Sequence, residues 1–178
     1  STIVMKSYRW EPMAVDSYRY LPRSFREGFE GFPVQETEVV QAELDRDLSQ
    51  ARVAVLTSAG LFLKDSQEPF DVETEIKNPT WGDPTYREIP RDVRQEHIGA
   101  EHLHLNTRDF FVDFNVALPI DRLKELETEG VIGSLADINY SFMGFQEDGT
   151  LDWKEKYGPQ LVGSLKQQGV NALILAPA

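Results

Sequence analysis

The sequence predicts an α/β fold in which a mostly parallel sheet is flanked by helices. Residues 52–56, Arg-Val-Ala-Val-Leu, form a nearly continuous apolar run of the kind that is buried on both faces of a parallel sheet. From there to residue 176, further strand-like runs alternate with helix-like patterns. Such alternation is typical of βαβ units, which build parallel sheets.

Residues 1–35 are predicted to form an irregular, aromatic-rich N-terminal extension in front of an α/β domain of residues 36–178. Aromatic side chains and arginines are interleaved in the extension without a sustained period of 2 or 3.6 residues. So many aromatic rings are costly to leave in water. We therefore expect the extension to pack on its own domain or on a second chain.

The α/β domain opens with a predicted helix at 36–50, where Val40, Leu44 and Leu48 recur at steps of four. The strand at 52–56 follows and ends in a turn of small residues at 57–60, where backbone amides can approach a ligand. The other predicted elements are a strand at 100–107, a helix at 119–129, a strand at 138–143, a turn at 144–149, a helix at 159–168 and a strand at 170–176. Together they predict a Rossmann- or flavodoxin-like sheet of about four strands.

The amino-acid composition limits the kinds of binding partner and the cellular compartment that suit this protein. Thirty acidic against 18 basic residues give a net charge of −12 over 178 residues, which disfavours nucleic-acid and anionic-membrane partners. No apolar stretch approaches the ~20 residues of a membrane span, and the start lacks the pattern of a secretory signal, so a cytoplasmic protein is predicted. The absence of cysteine excludes disulfides, thiolate metal ligands and a thiol nucleophile supplied by these residues.

The three histidines lie within eight residues, as His97, His102 and His104. On the predicted strand, His102 and His104 would point to one face and could hold a divalent metal, with Asp109 or Asp113 adding a carboxylate. The alternative is that one histidine caps backbone groups near a strand end while the other is exposed. Whether any other cofactor binds is left open by the residues.

Two further polar segments also have a functional and a structural interpretation. In the segment 82–87, Arg87 could clamp a carboxylate through paired hydrogen bonds, or it could tether backbone carbonyls of a long loop. In the segment 113–119, Asp113 and Asn115 could contact a ligand, or they could satisfy free amides ahead of Pro119.

From residue 52 to residue 178 the sequence resembles the selenoprotein B subunits of glycine, sarcosine and betaine reductase and of D-proline reductase. The matching segments are QEPFD, GDPTYREIP, NVALPIDRL, GVIGSLA and Phe142-Met143-Gly144. The resemblance implies a small amino-acid-like substrate, with His102, His104 and Asp113 moving protons or holding an amine. The substrate-binding residues that it implies are Thr57, Ser58, Asp83, Thr85, Arg87 and Asn115.

In that family the redox residue, cysteine or selenocysteine, lies just beyond a strand like residues 173–177. Since this sequence has no cysteine, the resemblance implies a nucleophile on a C-terminal continuation or on a partner chain, in a homo- or hetero-oligomer. One alternative is a shortened relative that uses the histidine and carboxylate cluster for metal-assisted or acid–base chemistry. Another is a non-catalytic binding or assembly subunit that docks a partner through the aromatic extension and an exposed last strand. The residues leave open whether the chain itself is an enzyme.

Overall fold

The computed structural model describes residues 42–78, 80–146 and 150–178, and its fold is α/β, as predicted. The strands are β1 Arg52–Thr57, β2 Leu61–Leu63, β3 Tyr86–Pro90, β4 Ile98–Ala100, β5 Ser134–Leu135, β6 Ile138–Phe142 and β7 Ala172–Ala176. The main helices are α1 Val72–Lys77, α2 Ile120–Thr128 and α3 Gly158–Gln167. Short 3₁₀ turns span Leu48–Gln50, Gln95–His97, Thr107–Phe111 and Phe114–Val116, and helical turns at Thr150–Asp152 and Trp153–Tyr157 lead into α3.

The main sheet is organised around β1. This strand pairs in parallel with β7 on one edge, and on the other edge with β5 near its start and β6 near its end. β3 extends the sheet as an antiparallel partner of β6. β2 and β4 form a separate antiparallel pair. The sheet is therefore mostly parallel, which confirms the predicted class.

Both faces of β1 are buried. On one face Val53 and Val55 join a core cluster that includes Ile120 and Leu123 of α2, and on the other face Ala54 packs with residues of α3. Each fully buried Val or Leu side chain contributes about 1.5–3 kcal/mol. This two-sided burial explains why the strand reads as a continuous apolar run.

The predicted helix at 119–129 is confirmed as α2, which is followed by Gly130 at a φ of 72°. The helix predicted at 159–168 is confirmed as α3, although helical turns precede it from Thr150. The predicted strands at 52–56, 138–143 and 170–176 correspond to β1, β6 and β7. Among the described residues, none of the helices has the length and hydropathy of a transmembrane span.

The prediction of a helix at 36–50 is wrong over its described part. Residues 42–47 are not helical, and the segment holds only the 3₁₀ turn Leu48–Gln50, with Leu44 and Leu48 exposed. The Leu48 carbonyl accepts hydrogen bonds from the N–H groups of Ala51 and Gly133. These two bonds hold the segment in a turn directly before β1. Residues 1–41 lie outside the described part, so the division at residue 35 stays a prediction.

The prediction of a strand at 100–107 is also wrong, because β4 ends at Ala100. The chain then turns, and the His102 ring nitrogen Nδ1 accepts the N–H of His104 at 3.1 Å. The Asn106 side chain next accepts from Arg108 N–H and starts the 3₁₀ turn Thr107–Phe111. These local side-chain bonds compete with the strand ladder.

We predict that Gly60→Ala destabilises the fold. Gly60 has a φ of 65°, and an added Cβ would lie 2.1 Å from the Glu101 carbonyl oxygen, so both backbone strain and overlap oppose it. The free energy of unfolding, measured by urea denaturation, should fall by about 1 kcal/mol or more.

The matched control is Gly163→Ala in α3, where an added Cβ meets nothing within 4 Å. This variant should gain about 0.5–1 kcal/mol through helix propensity. Equal effects of the two substitutions would contradict the conformation assigned to Gly60.

Candidate functional site

The candidate site lies at the carboxyl ends of the parallel strands β1, β6 and β7. Here the carbonyl oxygen of Ser58 accepts from Gly144 N–H at 3.1 Å, and Ser58 N–H donates to the Ala176 carbonyl at 3.2 Å. Gly60 N–H donates to the Phe142 carbonyl at 2.9 Å. Open α/β sheets bind ligands outside the carboxyl ends of their strands, so the strand topology itself marks this edge.

An apolar cleft of about 620 Å³ opens at this edge. It is lined by Leu56, Ser58, Phe142, Gly144, Gln146, Thr150, Trp153, Leu175, Ala176 and Pro177. The Ser58 hydroxyl oxygen accepts from Ala178 N–H at 2.9 Å, while the predicted Thr57 is fully buried and accepts from Ala59 N–H at 3.3 Å. Ser58 therefore borders the cleft, whereas Thr57 is buried beneath it and stabilises the turn at 57–60.

Beside this edge, His104 is paired with a buried carboxylate that the sequence did not single out. His104 Nε2 lies 2.8 Å from Glu75 Oε1, and the Glu75 side chain is 1% exposed while that of His104 is 50% exposed. The other carboxylate oxygen, Oε2, is buried without a hydrogen-bond partner. The Glu75 end of the pair is thus shielded from solvent, whereas the His104 ring is accessible.

The helix α1 places Glu75 in the interior. Its N-cap residue Asp71 accepts from Thr74 N–H, and Asp71 N–H is in turn held by the Asp83 carboxylate at 3.0 Å. This anchoring rotates Glu75 inward and leaves Ile76 64% exposed. Hydropathy favours the opposite orientation, so no pattern in the sequence could have indicated the burial of Glu75.

His102 completes the histidine pair, although no strand holds it there. Its ring lies 5.9 Å from that of His104, centroid to centroid, and burial, reinforced by the neighbouring His104, lowers the pKa of His102. Within the described residues, no group of three or more His, Asp or Glu side chains is arranged to hold a metal ion. The metal role of His102 and His104 therefore stays a prediction.

The predicted binding residues Asp83 and Thr85 form a hydrogen-bonded loop. The Asp83 carboxylate accepts from the backbone N–H and the hydroxyl of Thr85, at 2.9 and 2.5 Å, as well as from Asp71 N–H. The Asp83 carbonyl accepts from Gln146 Nε2 at 2.7 Å. These bonds tie the loop to α1 and to the carboxyl end of β6.

Arg87 occupies this loop as a tether between backbone carbonyls. Its guanidinium donates to the carbonyls of Glu68, Pro69 and Tyr86 and to the Thr85 hydroxyl, and it lies over the Phe70 ring at 4.2 Å. Burial lowers the pKa of Arg87, against the opposing effect of Asp83 and Glu68. Most of the N–H donors of Arg87 bind backbone carbonyls of the chain. This geometry agrees with the structural alternative, in which Arg87 tethers a loop.

Asp113 and Asn115 act as caps. Asp113 accepts from Asn115 N–H at 2.9 Å, and the Asn115 side-chain oxygen accepts from Asp121 N–H at the start of α2. The side-chain hydrogen bond from Asn115 lowers the pKa of Asp113. Asp113 thus binds a free amide ahead of α2, and Asn115 binds one in the first turn of α2. These contacts agree with the structural alternative for the two residues, in which they satisfy free amides.

The segment 144–146 joins the separate parts of the site. Gly144 contacts Ser58, the Phe145 ring packs against His104 at 4.7 Å, and Gln146 binds the Asp83 carbonyl. A Cβ on Gly144 would lie 2.9 Å from the Ser58 Cβ, so the approach depends on glycine. This segment thus links the strand exit, the histidine pair and the Asp83 loop.

Comparisons with known proteins indicate the family. The family model of glycine/sarcosine/betaine reductase selenoprotein B matches residues 26–178. The chain is 32% identical over 136 residues to D-proline reductase subunit gamma of Acetoanaerobium sticklandii, an alignment that covers 76% of this chain and 52% of that protein. It is 30% identical over 132 residues to glycine reductase complex component B subunit gamma of Carboxydothermus hydrogenoformans, covering 73% of this chain and 28% of that protein.

A third relative is sarcosine reductase complex component B subunit beta of Peptoclostridium acidaminophilum, 30% identical over 133 residues, with 73% of this chain and 28% of that protein covered. The chain therefore spans about half the length of the first relative and under a third of the other two. No solved structure gives a significant match.

We predict that His102 titrates below its ordinary pKa of 6.5, because burial and His104 both oppose its protonation. His104→Asn removes only the second effect, so the His102 pKa should rise toward the ordinary value in an NMR titration. The matched control is His97→Asn, since His97 pairs with Asp65 at 2.8 Å. This control should leave the His102 pKa unchanged.

The same shift has a consequence for stability. Because the unfolded chain takes up the His102 proton first, the contribution of His102 to stability is complete above about pH 6.5 and is lost as the pH falls through the folded-state pKa. A His102 pKa at or above 6.5 in the folded chain would contradict the environment described for this ring.

Proposed function

Because the chain belongs to the glycine/sarcosine/betaine reductase selenoprotein B family, as its sequence segments predicted, we propose that it binds a small amino-acid-like substrate for a reductase of this type. The names of its relatives refer to D-proline, glycine and sarcosine, which are small molecules that carry a carboxylate and an amine. The binding site in this proposal is the carboxyl edge of the sheet, around Ser58, His104 and the segment 144–146.

The observation that carries the proposal is the His104–Glu75 pair at this edge. His104 Nε2 lies 2.8 Å from Glu75 Oε1, so the half-exposed ring would exchange a proton with a bound molecule at its other nitrogen, Nδ1. The buried carboxylate fixes the orientation of the imidazole. In the proposed reaction, His104 is the proton-transferring group and Glu75 is its positioning residue.

Ser58 is the proposed contact for the substrate carboxylate. Its hydroxyl oxygen already accepts from Ala178 N–H, which leaves the O–H free to donate into the cleft. The loop that contains Asp83, Thr85 and Arg87 supports the site, because it holds α1 and therefore Glu75 in place. Asp113 and Asn115 have no substrate contact in the proposal, because their hydrogen bonds serve as caps.

The redox nucleophile in this proposal comes from other residues, since the chain contains no cysteine. A selenol or thiol on a C-terminal continuation or on a partner chain would reach the substrate at the open carboxyl edge. Two of the relatives are named as components of reductase complexes, which supports a hetero-oligomeric assembly for this chain as well.

Isothermal titration calorimetry with glycine, sarcosine, betaine and D-proline tests substrate binding. We expect one of these molecules to bind saturably, and His104→Asn and Glu75→Gln to weaken binding about tenfold or more, because each removes one side of the His104–Glu75 hydrogen bond. The matched control is His97→Asn, which lies in a different pair and should bind as the unchanged chain does.

Two outcomes count against this function. Absence of binding for all four molecules would remove the proposed substrate class. Saturable binding that His104→Asn and Glu75→Gln leave intact, with both variants folded by circular dichroism, would place the site elsewhere.

The origin of the nucleophile is tested separately on protein purified from its native host. We expect a polypeptide of larger mass or a co-purifying chain that contains cysteine or selenocysteine, by intact-mass spectrometry. A bare chain of 20.3 kDa with stoichiometric metal would instead favour metal-assisted chemistry at His102 and His104. A bare chain without metal would favour a binding or assembly role.

A further inference from the structure

The backbone amides of the turn at 57–60 are occupied by the fold itself. The N–H groups of Ser58, Ala59 and Gly60 all donate to oxygen atoms of the chain, with N···O distances of 3.2, 3.3 and 2.9 Å. The small residues of this turn favoured amides that approach a ligand, but these three amides already have partners. A ligand with an anionic group therefore depends on side chains for its donors at this turn.

Two side chains were candidates for that task, and the structure leaves one of them available. The guanidinium of Arg87 is held by backbone carbonyls of its own loop. The Ser58 hydroxyl borders the cleft and is the carboxylate contact of the proposed function. Because a carboxylate has two oxygen atoms that both accept hydrogen bonds, a second donor is needed beside Ser58.

His102 lies against the same turn. A Cβ added to Gly60 would lie 3.7 Å from the His102 Cβ, and Glu101 N–H donates to the Gly60 carbonyl at 3.0 Å. The His102 ring stands edge-on to the His104 ring, with 5.9 Å between the centroids. His102 is thus adjacent both to the turn and to the proton-transferring residue of the proposed function.

A hydrogen bond to the backbone fixes which nitrogen of the His102 ring carries the proton. Nδ1 accepts the N–H of His104 at 3.1 Å, and an N–H group donates only to an unprotonated nitrogen. An imidazole whose Nδ1 is unprotonated carries its one proton on Nε2. His102 is therefore a neutral side chain that presents an N–H donor.

This donor is available to a ligand. No described residue pairs with Nε2 of His102, and the atom is not one of the buried polar atoms that lack a partner. We propose that His102 binds the carboxylate of the ligand through Nε2–H, as the second donor beside Ser58. This inference rests on the proposed function, in which the ligand is amino-acid-like. His102 then binds and orients the ligand, whereas His104 exchanges the proton.

The role gives His102 a part in specificity. A hydrogen bond from an N–H to a carboxylate is roughly twice as strong as one to a neutral carbonyl. Since the His104 N–H holds Nδ1, the His102 ring cannot present its other nitrogen without losing that bond. The site should therefore prefer an amino acid to its primary amide, and His102 should contribute to the difference.

Isothermal titration calorimetry with glycine, sarcosine, betaine and D-proline, each beside its primary amide, tests this role in the chain and in His102→Asn. The asparagine oxygen can still accept the His104 N–H, but the shorter side chain ends before the position of Nε2. We expect the variant to bind the acid about tenfold more weakly and the amide only about threefold more weakly. The matched control His97→Asn, in a separate pair with Asp65, should bind both ligands as the unchanged chain does.

The tautomer is tested without any ligand by two-bond proton–nitrogen NMR correlation on protein labelled with ¹⁵N-histidine, in mildly alkaline buffer. We expect His102 to show an unprotonated Nδ1 and a protonated Nε2. The opposite tautomer would overturn the inference. Because this measurement uses the unchanged chain, it keeps the inference falsifiable if His102→Asn fails to fold.

The binding data separate this inference from the function on which it rests. Equal losses for acid and amide in His102→Asn would show that His102 only supports the fold, and unchanged binding would show that it makes no contact. Either result would overturn the inference and leave the proposed function standing. Absence of binding for all four amino acids would instead remove the proposed function, and the inference with it.

Discussion

The burial of β1 on both faces and along both edges is the constraint on which the rest of the structure depends. β5 and β6 cover one edge, β7 covers the other, and α2 and α3 belong to the core clusters on the two faces. A strand enclosed in this way can contact a ligand only at its ends, and open α/β sheets bind ligands at the carboxyl end. The turn of small residues at 57–60, in which Gly60 has a positive φ, is therefore where polar groups of the fold are accessible to a ligand.

Elements whose pattern reflects local burial could be predicted from the sequence. β1 and β7 follow from apolar runs, and α2 follows from its proline start and the glycine that ends it. The described part of the segment 36–50 and the segment 100–107 do not form the predicted helix and strand, although Ala100 and Leu105 pack against the core. In both segments, hydrogen bonds to side chains or to distant backbone groups determine the conformation, and those partners are brought together only by the tertiary fold.

The same distinction applies to the site. The family resemblance predicted His104 as a catalytic residue and Ser58 as a substrate-binding residue, roles that stay predictions, but the sequence could not indicate Glu75, whose burial opposes the hydropathy of α1. Arg87 shows the reverse case. Its residue type suits a carboxylate clamp, yet the carbonyls of Glu68 and Pro69 occupy its donors. Residue type can suggest a chemical role, but the partners of each side chain decide whether that role is available.

We propose that the carboxyl edge around Ser58, His104 and Gly144 binds an amino-acid-like ligand. The most direct measurement is a map of NMR chemical-shift changes across the chain as glycine, sarcosine, betaine and D-proline are added in turn. We expect saturable changes centred on the rings of His102 and His104 and on the amides of Ser58 and Gly144. Saturable changes confined to other surfaces, such as the surroundings of His97, would contradict it.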